Sequence, residues 1–239
     1  MTVTDVNVVK SAIFERPDDA NKGTLGSLLC VCGSYGMAGA AVMSAKGALR
    51  TGIGLAKCAL PRSNYPIVAQ TILESVYYPL SENADGRISK INVPFLVSES
   101  CKSSATLVGC GLGVCDDTLK IVFSLIENST TPLVLDADAL NCVAKQPEIL
   151  LRKKAPIIIT PHPGEMSRLT GLATPLVNAE RQRVALDFAQ KYGVVTVLKG
   201  AGTVIASSNG KVLVNPTGNS GMATGGSGDV LAGMTASIL

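Results

Sequence analysis

Short apolar segments alternate with helix-length amphipathic segments along this chain, and this alternation restricts the fold more than any other feature. Parallel strands that are buried on both faces read as continuous apolar runs, because crossover helices cover both sides of the sheet. Such runs predict strands at residues 27–32, 55–60, 105–108, 133–135, 157–160 and 194–198, and a helix of small residues over 40–50. The sequence therefore predicts an α/β protein with a mostly parallel sheet between two layers of helices.

The regular alternation ends after Lys199. Two short β-type segments, 203–206 and 212–215, flank the pair Asn209-Gly210, which favours a type I′ turn. We therefore predict an antiparallel hairpin near the C-terminal end of the sheet. The sequence contains no internal repeat, low-complexity segment or linker, so residues 1–239 are predicted to form a single domain.

Composition narrows the class of protein and of partner. The 239 residues are 46% hydrophobic and 16% charged, which suits one sizeable core. A net charge of +3, with five Tyr, four Phe and no Trp, argues against a nucleic-acid partner. Seven cysteines, mostly in apolar runs, indicate reduced thiols in a cytoplasmic protein. A single His and no CxxC pair argue against structural zinc, which leaves Mg²⁺ held by oxygens as the metal to consider.

The segment 24–45 contains no charged residue, but four glycines interrupt it and its second half consists of small residues. A membrane span is therefore disfavoured, and we expect no membrane partner. The first residues of the chain also lack the charged and then apolar pattern of an export signal.

The segment 219–233 joins several glycines to one acid and then to an apolar helical pattern. Glycines let successive backbone N–H groups approach an anion, and the N-terminus of the following helix adds the positive end of its dipole. An acid would ordinarily repel a phosphate there. Asp229 is explained if it removes a proton from a hydroxyl that attacks the bound phosphoryl group. The alternative is a tight turn in which Asp229 stabilises the helix dipole.

Further candidate residues follow the predicted strands, whose carboxyl ends face one crevice. The turns 33–39 and 109–113 are rich in glycine, and each suits a structural turn as well as phosphate binding. Asp136 and Asp138 could hold Mg²⁺ through water, or one of them could cap the next helix. His162 lies between two prolines, and a rigid loop at this edge favours ligand contact over a purely structural role.

Six segments, in the right order along nearly the whole chain, resemble the nucleotide-dependent NAD(P)H-hydrate dehydratases of the ribokinase-like superfamily. They are residues 22–23, 33–40, 135–141, 160–165, 198–203 and 219–233. The last segment is shared with the wider superfamily, whereas Thr160-Pro-His-Pro-Gly-Glu165 and Lys199-Gly-Ala-Gly-Thr203 are more particular to the dehydratases. The resemblance implies a ribokinase-like three-layer fold.

The resemblance also implies repair of a damaged cofactor. Hydrated NADH or NADPH, as the S epimer, would lose water at the expense of ADP or ATP, with Mg²⁺. The hydroxyl of the hydrate is phosphorylated first, because phosphate is a far better leaving group than hydroxide. Bacterial members typically use ADP and eukaryotic members ATP, and the sequence does not decide between them. The resemblance further suggests a homo-oligomer, specifically a tetramer. This sequence carries no epimerase domain, so we expect that either a separate epimerase supplies that activity or the R epimer converts spontaneously.

Site residues carry over from the family by position. Asp229 would be the base, while the N–H groups of Gly226, Ser227 and Gly228 would stabilise charge on the moving phosphoryl group. The residues expected to contact the hydrate are Ala40, Gly113, His162 and Asp229. Those expected to hold the nucleotide are Lys199, Gly200, Ala201, Gly202, Thr203 and Gly228.

The end of the sequence departs from the family pattern. Family members usually continue for further helices after the last motif, whereas this sequence ends at Leu239. Its apolar residues Val230, Leu231, Met234 and Ile238 recur at the spacing of a buried helix face. We expect the partners of this face in residues beyond Leu239 or, failing that, in another subunit.

Two other functions are compatible with these residues. A small-molecule kinase of the same superfamily, such as one acting on a vitamin-precursor alcohol, would leave the phosphate on its product. A nucleotide-binding protein without catalytic activity would show no turnover.

Overall fold

The computed structural model describes residues 2–3 and 17–239. Its strands are β1 (Thr2–Val3), β2 (Ser27–Val31), β3 (Leu55–Pro61), β4 (Val76–Leu80), β5 (Ala105–Val108), β6 (Leu133–Leu135), β7 (Ile157–Ile159), β8 (Val195–Leu198), β9 (Thr203–Ala206) and β10 (Val212–Asn215). Its α-helices are α1 (Ala38–Thr51), α2 (Tyr65–Ala69), α3 (Val93–Cys101), α4 (Asp116–Asn128), α5 (Asp138–Val143), α6 (Pro163–Thr170), α7 (Thr174–Ala179), α8 (Arg181–Tyr192) and α9 (Ser227–Ser237). Short 3-10 helices cover Arg62–Asn64, Lys90–Asn92, Pro147–Arg152 and Ser220–Met222.

The strands form one sheet in the order β1-β10-β9-β8-β7-β6-β5-β2-β3-β4. All neighbours from β8 through to β4 are parallel. Strand β9 runs antiparallel to both β8 and β10, and β1 lies parallel to β10. The predicted α/β fold, a mostly parallel sheet with an antiparallel hairpin at its C-terminal end, is therefore confirmed.

Each predicted parallel strand is present within one residue of its predicted ends. The sequence analysis did not predict β1 or β4. Strand β4 lies at an edge of the sheet, and its segment Val-Tyr-Tyr-Pro-Leu is only partly buried. Proline cannot donate a ladder hydrogen bond and is confined to such edges, so this segment lacks the pattern of a buried strand.

The hairpin is confirmed, but its predicted turn type is wrong. A type I′ turn needs positive φ at both central residues, whereas Gly210 (92°) has a positive φ and Asn209 does not. The N–H of Gly210 donates to the carbonyl of Ser207 at 3.1 Å. The side chain of Asn209 accepts the N–H of Lys211 at 3.1 Å, a local hydrogen bond that Asn makes without adopting the left-handed conformation.

Helices cover the sheet on both faces, as the alternation along β2 shows. Leu29 and Val31 belong to the hydrophobic cluster that contains residues of α3 to α8. Leu28 and Cys30 point to the opposite face and belong to the cluster that contains residues of α1 and α9. The sheet is therefore the middle of three layers, as predicted.

The helices α1 and α9 pack closely against each other on the second face. A Cβ atom on Gly47 would lie 2.6 Å from the carbonyl oxygen of Val230. A Cβ atom on Gly233 would overlap the carbonyl oxygen of Ser44. Both glycines are therefore required by the close approach of the two backbones.

The apolar face predicted for α9 is not buried as a unit among the described residues. Ala232, Gly233 and Ala236 are buried, whereas Met234 and Ile238 are exposed. The close approach to α1 leaves room only for small side chains, so these residues face inward although their larger neighbours are more apolar.

All seven cysteines are free thiols, and most of them are buried. Burial raises the pKa of Cys58 to about 12 and the pKa of Cys142 to about 11. These thiols therefore stay protonated at neutral pH and pack as small apolar side chains, as the sequence analysis predicted.

The uncharged segment 24–45 is divided between β2, a glycine-rich turn and the first half of α1. Among residues 2–3 and 17–239, no helix combines the length and the hydropathy needed to cross a membrane. The disfavoured alternative of a span at 24–45 is thus not seen.

Candidate active site

The order of the strands reverses at β2. From β2 the chain continues outward through β3 and β4, and β5 with the strands after it lies on the other side of β2. Such a reversal opens a crevice at the carboxyl ends of the two neighbouring strands, here β2 and β5. The two glycine-rich turns 33–39 and 109–113 begin at this crevice.

Hydrogen bonds join the two turns. The N–H of Gly33 donates to the carbonyl of Cys110 at 2.8 Å, and the hydroxyl of Ser34 donates to the carbonyl of Gly111 at 2.8 Å. Ala40, in the first turn of α1, lies against Gly111, since a Cβ atom on Gly111 would be 2.7 Å from the Ala40 Cβ. These contacts fix the shape of both turns.

Gly113 lies at the end of the second turn and is held from two sides. Its N–H donates to Oδ2 of Asp138 at 2.8 Å. The side chain of Arg87 lies against it, because a Cβ atom on Gly113 would be 2.5 Å from the Arg87 Nε. Ala40 and Gly113, both predicted to contact the hydrate, therefore border the same turn.

Neither Asp136 nor Asp138 caps α5, so that alternative from the sequence is wrong. The N-cap is Ala137, which makes no side-chain capping bond. Ala137 has a φ of 47°, and no other non-glycine residue in the described part of the chain has a positive φ. Such a conformation costs about 1–3 kcal/mol and recurs at functional sites. Here it directs the two carboxylates to different partners.

Asp136 is the buried acid at the centre of the site, with 1% of its surface exposed. Its Oδ1 accepts the ammonium of Lys199 at 2.6 Å and the hydroxyl of Thr160 at 2.7 Å. Its Oδ2 accepts the thiol of Cys110 at 3.6 Å. A buried carboxylate needs such partners. Because Lys199 is charged, its hydrogen bond to Asp136 is the strongest of the three.

Asp229 lies in the first turn of α9 and completes the group. One carboxylate oxygen from each of Asp229 and Asp136 and the sulfur of Cys110 lie within 4.8 Å of one another. Burial raises the pKa of Asp229, and the charge of Asp136 raises it further, while Cys110 and Lys199 act in the opposite direction. A raised pKa makes the Asp229 carboxylate a stronger base at neutral pH.

The glycine-rich segment leads directly into α9. Gly226 is the N-cap, with a φ of 89° and no side-chain capping bond. The first backbone N–H groups of an α-helix have no acceptor within the helix, so those of Gly228 and Asp229 suit an anion, whereas the N–H of Val230 already donates to the carbonyl of Gly226 at 3.0 Å. The hydroxyl of Ser227 donates to the carbonyl of Met222 at 2.8 Å and holds the turn. The ammonium of Lys199 faces this helix start, 3.5 Å from where a Cβ atom on Gly228 would be.

The turn between β8 and β9 contains the other residues predicted to hold the nucleotide. Gly200 and Gly202 have positive φ values of 149° and 67°. The hydroxyl of Thr203 donates to the carbonyl of Gly200 at 3.0 Å, and Ala201 is exposed. Through Lys199, this turn is connected to the acids and to the start of α9.

His162 caps α6, a structural role that the sequence analysis did not predict. Its Nδ1 accepts the N–H groups of Gly164 at 3.0 Å and Glu165 at 3.3 Å. Its Nε2 lies 3.3 Å from Oε1 of Glu165, whose Oε2 is 3.7 Å from the Lys199 ammonium. The imidazole is 50% exposed at the edge of the site, so contact with substrate stays a prediction.

Two residues of the site, Thr160 and Cys110, were not predicted from the sequence, although each carries a positional signal. Thr160 directly follows β7, and Cys110 lies two residues after β5. Because the carboxyl ends of parallel strands share one edge, both positions could have been added to the candidate set. The pairing of Asp136 with Lys199 has no such signal.

Two carboxylates of the site fit Mg²⁺. Asp136 and Asp229 each place one carboxylate oxygen within 4.8 Å of the other, and Mg²⁺ prefers oxygen ligands and retains several waters. The thiol of Cys110 does not fit, because a hydrogen bond with Cys32 and burial raise its pKa and keep it protonated. Asp138 is not part of this group of ligands, because its carboxylate binds a backbone N–H instead.

The doubly wound sheet, the glycine-rich start of α9 and the acid within it define a ribokinase-like protein, as the resemblance predicted. The family model described as NAD(P)H-hydrate dehydratase matches residues 28–239. The chain therefore belongs to the NAD(P)H-hydrate dehydratase family.

Two relatives and one solved structure show the extent of the similarity. The chain is 40% identical over 223 residues to the bifunctional NAD(P)H-hydrate repair enzyme Nnr of Thermofilum pendens, covering 93% of this chain and 43% of that protein. It is 34% identical to the ADP-dependent (S)-NAD(P)H-hydrate dehydratase of Neisseria meningitidis, covering 94% of this chain and 72% of that protein. The solved structure is the ADP/ATP-dependent NAD(P)H-hydrate dehydratase of Bacillus subtilis, co-crystallized with ATP/Mg²⁺. It is 31% identical to this chain with a TM-score of 0.83, and the match covers 99% of this chain and 80% of that one.

Proposed function

We propose that this protein dehydrates (S)-hydrated NADH or NADPH at the expense of ADP or ATP. The observation that carries the proposal is Asp229, an acid of raised pKa at the start of a helix whose free N–H groups suit a phosphate. A base at that place is needed only if a hydroxyl is deprotonated beside a phosphoryl group. The names of the relatives from Neisseria and Bacillus support the same substrate and the same nucleotides.

The proposed reaction has two steps. Asp229 takes the proton of the hydrate's hydroxyl, whose oxygen then forms a bond to the terminal phosphorus of the nucleotide as the bond to the leaving oxygen breaks. The phosphate on the ring carbon then leaves with its bonding electrons while a neighbouring carbon loses a proton, which restores the dihydronicotinamide ring. The nucleotide supplies the phosphoryl group, and the net change is loss of water from the hydrate and hydrolysis of the nucleotide.

The described residues divide between the two substrates. We propose that Gly226, Ser227 and Gly228 stabilise the moving phosphoryl group through their N–H groups, and that Asp136 holds Mg²⁺ through water, which leaves Asp229 free to act as the base. The ammonium of Lys199 faces the same point and adds positive charge. The turn that contains Gly200, Ala201, Gly202 and Thr203 would bind the rest of the nucleotide. Ala40, Gly113 and His162 would contact the hydrate.

One assay tests the proposal. Chemically hydrated NADH is incubated with the protein, Mg²⁺ and either ADP or ATP, and the dihydronicotinamide absorbance is followed. We expect the absorbance to return and inorganic phosphate to be released in equal amount. A phosphorylated product without phosphate release would indicate a kinase, and the absence of nucleotide consumption would indicate a binding protein.

The assembly and its surroundings belong to the same proposal. We infer a homo-oligomer, specifically a tetramer, that acts in the cytoplasm alongside a separate epimerase, with residues 1–239 as one domain. The free, buried thiols support a reducing compartment. Sedimentation of the native protein would give the number of subunits, and a monomer that retains full activity would contradict the oligomer.

A further inference from the structure

Arg181, the first residue of α8, lies under the turn that carries Lys199. One terminal nitrogen, Nη2, donates to the carbonyl of Leu198 at 2.8 Å and to the carbonyl of Lys199 at 3.0 Å. Hydrogen bonds from a charged donor are shorter and stronger than neutral ones. The guanidinium therefore joins the end of β8 to the start of the following turn.

The guanidinium of Arg181 does not have a hydrogen-bond partner for each of its nitrogens. Its Nε is buried and has no hydrogen-bond partner. Burial lowers the pKa of Arg181, although an arginine stays charged at neutral pH. A buried donor without a partner is costly, so this cation is retained against a stability cost.

Gly200 permits this arrangement. A Cβ atom there would lie 2.8 Å from Nη1 of Arg181, and the φ of 149° at Gly200 is one that other residues rarely adopt. The guanidinium can therefore lie directly against the backbone of the turn. The N–H of Lys199 is held as well, because it donates to the carbonyl of Pro161 at 2.8 Å. Both polar backbone groups of Lys199 are thus fixed.

A fixed backbone at Lys199 restricts where its side chain can reach. The ammonium lies 2.6 Å from Oδ1 of Asp136, and it faces the helix start at Gly228. Lys199 also lowers the pKa of Asp229. A shift of the turn would therefore move a positive charge away from the acids and from the phosphate position together.

We propose that Arg181 is a positioning residue that acts through Lys199. It holds the carbonyls of Leu198 and Lys199 so that the ammonium stays between Asp136 and the phosphoryl group. The role assigned to the phosphoryl group rests on the proposed function, whereas the role of Arg181 toward Lys199 and Asp136 does not.

A double-mutant cycle tests this proposal through nucleotide binding. ADP affinity with Mg²⁺ is measured by calorimetry for wild type, Arg181→Met, Lys199→Met and the double variant. Each single change should weaken binding about 10-fold, since each removes an interaction of a charged donor. The double variant should be no weaker than Lys199→Met within about twofold, as expected for residues that act as one unit. Losses that multiply in the double variant would overturn the proposal.

Arg183→Met is the matched control, because Arg183 lies two residues along the same helix and is exposed, paired with Glu180 and Asp187. Its ADP affinity should equal that of wild type. Arg181→Lys keeps the charge and should recover part of the affinity lost in Arg181→Met. If Arg181→Met does not fold, the cycle is run with Arg181→Lys.

A second measurement is independent of nucleotide binding. Acetylation of Lys199 by acetic anhydride is followed by mass spectrometry of peptides. We expect slow labelling in wild type and in Arg183→Met, because Asp136 holds the ammonium, and faster labelling in Arg181→Met. Unchanged labelling would show that Arg181 does not hold Lys199 in place. If wild type binds no ADP, the proposed function fails, while this measurement still decides the role of Arg181.

Discussion

Replacing Asp229 by Asn should abolish most of the turnover while leaving nucleotide binding nearly intact. The two side chains have the same shape, so the start of α9 and the Lys199–Asp136 pair should persist. Removal of a general base commonly lowers the rate by about 10²–10⁴-fold, which corresponds to about 2.7–5.5 kcal/mol of transition-state stabilisation. The loss should lie in kcat, because the base acts on the hydroxyl only as the phosphoryl group is transferred.

The pKa of Asp229 gives this prediction a second readout. Its pKa is raised in the folded protein, mainly by burial. The base is ionised only above that raised pKa, so kcat of the wild type should rise with pH through it and level off above. In the folded state the raised pKa favours the protonated carboxyl. The stability that it contributes is therefore present below the unfolded-state pKa and lost as pH rises through the folded pKa. At neutral pH the Asn variant should melt no lower than wild type.

The assay compares phosphate release and calorimetric ADP binding at several pH values. Asp116→Asn is the matched control, because Asp116 also lies in the first turn of a helix, α4, but is exposed. The control should keep the wild-type rate. If Asp229→Asn also keeps it, Asp229 only stabilises the helix dipole and the proposed mechanism is wrong.

Three further substitutions test other parts of the site and fold. Gly228→Ala should leave the fold intact, since its Cβ makes only ordinary contacts, but the methyl group should weaken ADP binding in calorimetry; unchanged binding and rate would remove the phosphate site from this turn. His162→Ala should raise the KM for hydrate more than the KM for nucleotide, and the reverse order would place His162 with the phosphates. The lost cap should also lower the free energy of unfolding, measured with denaturant, by about 1 kcal/mol. Gly233→Ala should destabilise the fold by about 1–3 kcal/mol, because its Cβ would overlap Ser44. Gly39→Ala is the control and should not destabilise the fold, because a Cβ on Gly39 would meet open space; equal unfolding midpoints for the two variants would refute the close packing.

The parallel strands could be predicted because buried strands leave an apolar run that needs no knowledge of their partners. The rule that their carboxyl ends share one edge then brought Gly113, Asp136 and His162 to one crevice. Asp229 and Lys199 came instead from the glycine-rich motif and from the family resemblance. The capping role of His162 could not be predicted in this way. A side chain that accepts backbone N–H groups and one that contacts a ligand leave the same pattern in the sequence.

The ion pair between Lys199 and Asp136 was out of reach for a different reason. It depends on the register of neighbouring strands and on the backbone angles of Ala137, and neither leaves a local pattern in the sequence. The small residues that α9 buries against α1 were not predicted, because the sequence pattern singled out its larger apolar residues. Its approach to α1 selects the smallest residues instead.

The close packing of α9 on α1 also sets the order in which the protein can become active. The acid comes from the last helix described, and it reaches the crevice only when that helix docks on the first one through Gly47 and Gly233. A nascent chain that has completed its sheet still lacks Asp229, so its crevice stays incomplete until α9 has been made and has docked. A protease cut in the exposed segment 216–225 would also remove Asp229 from the crevice, because it would separate α9 from the rest of the chain.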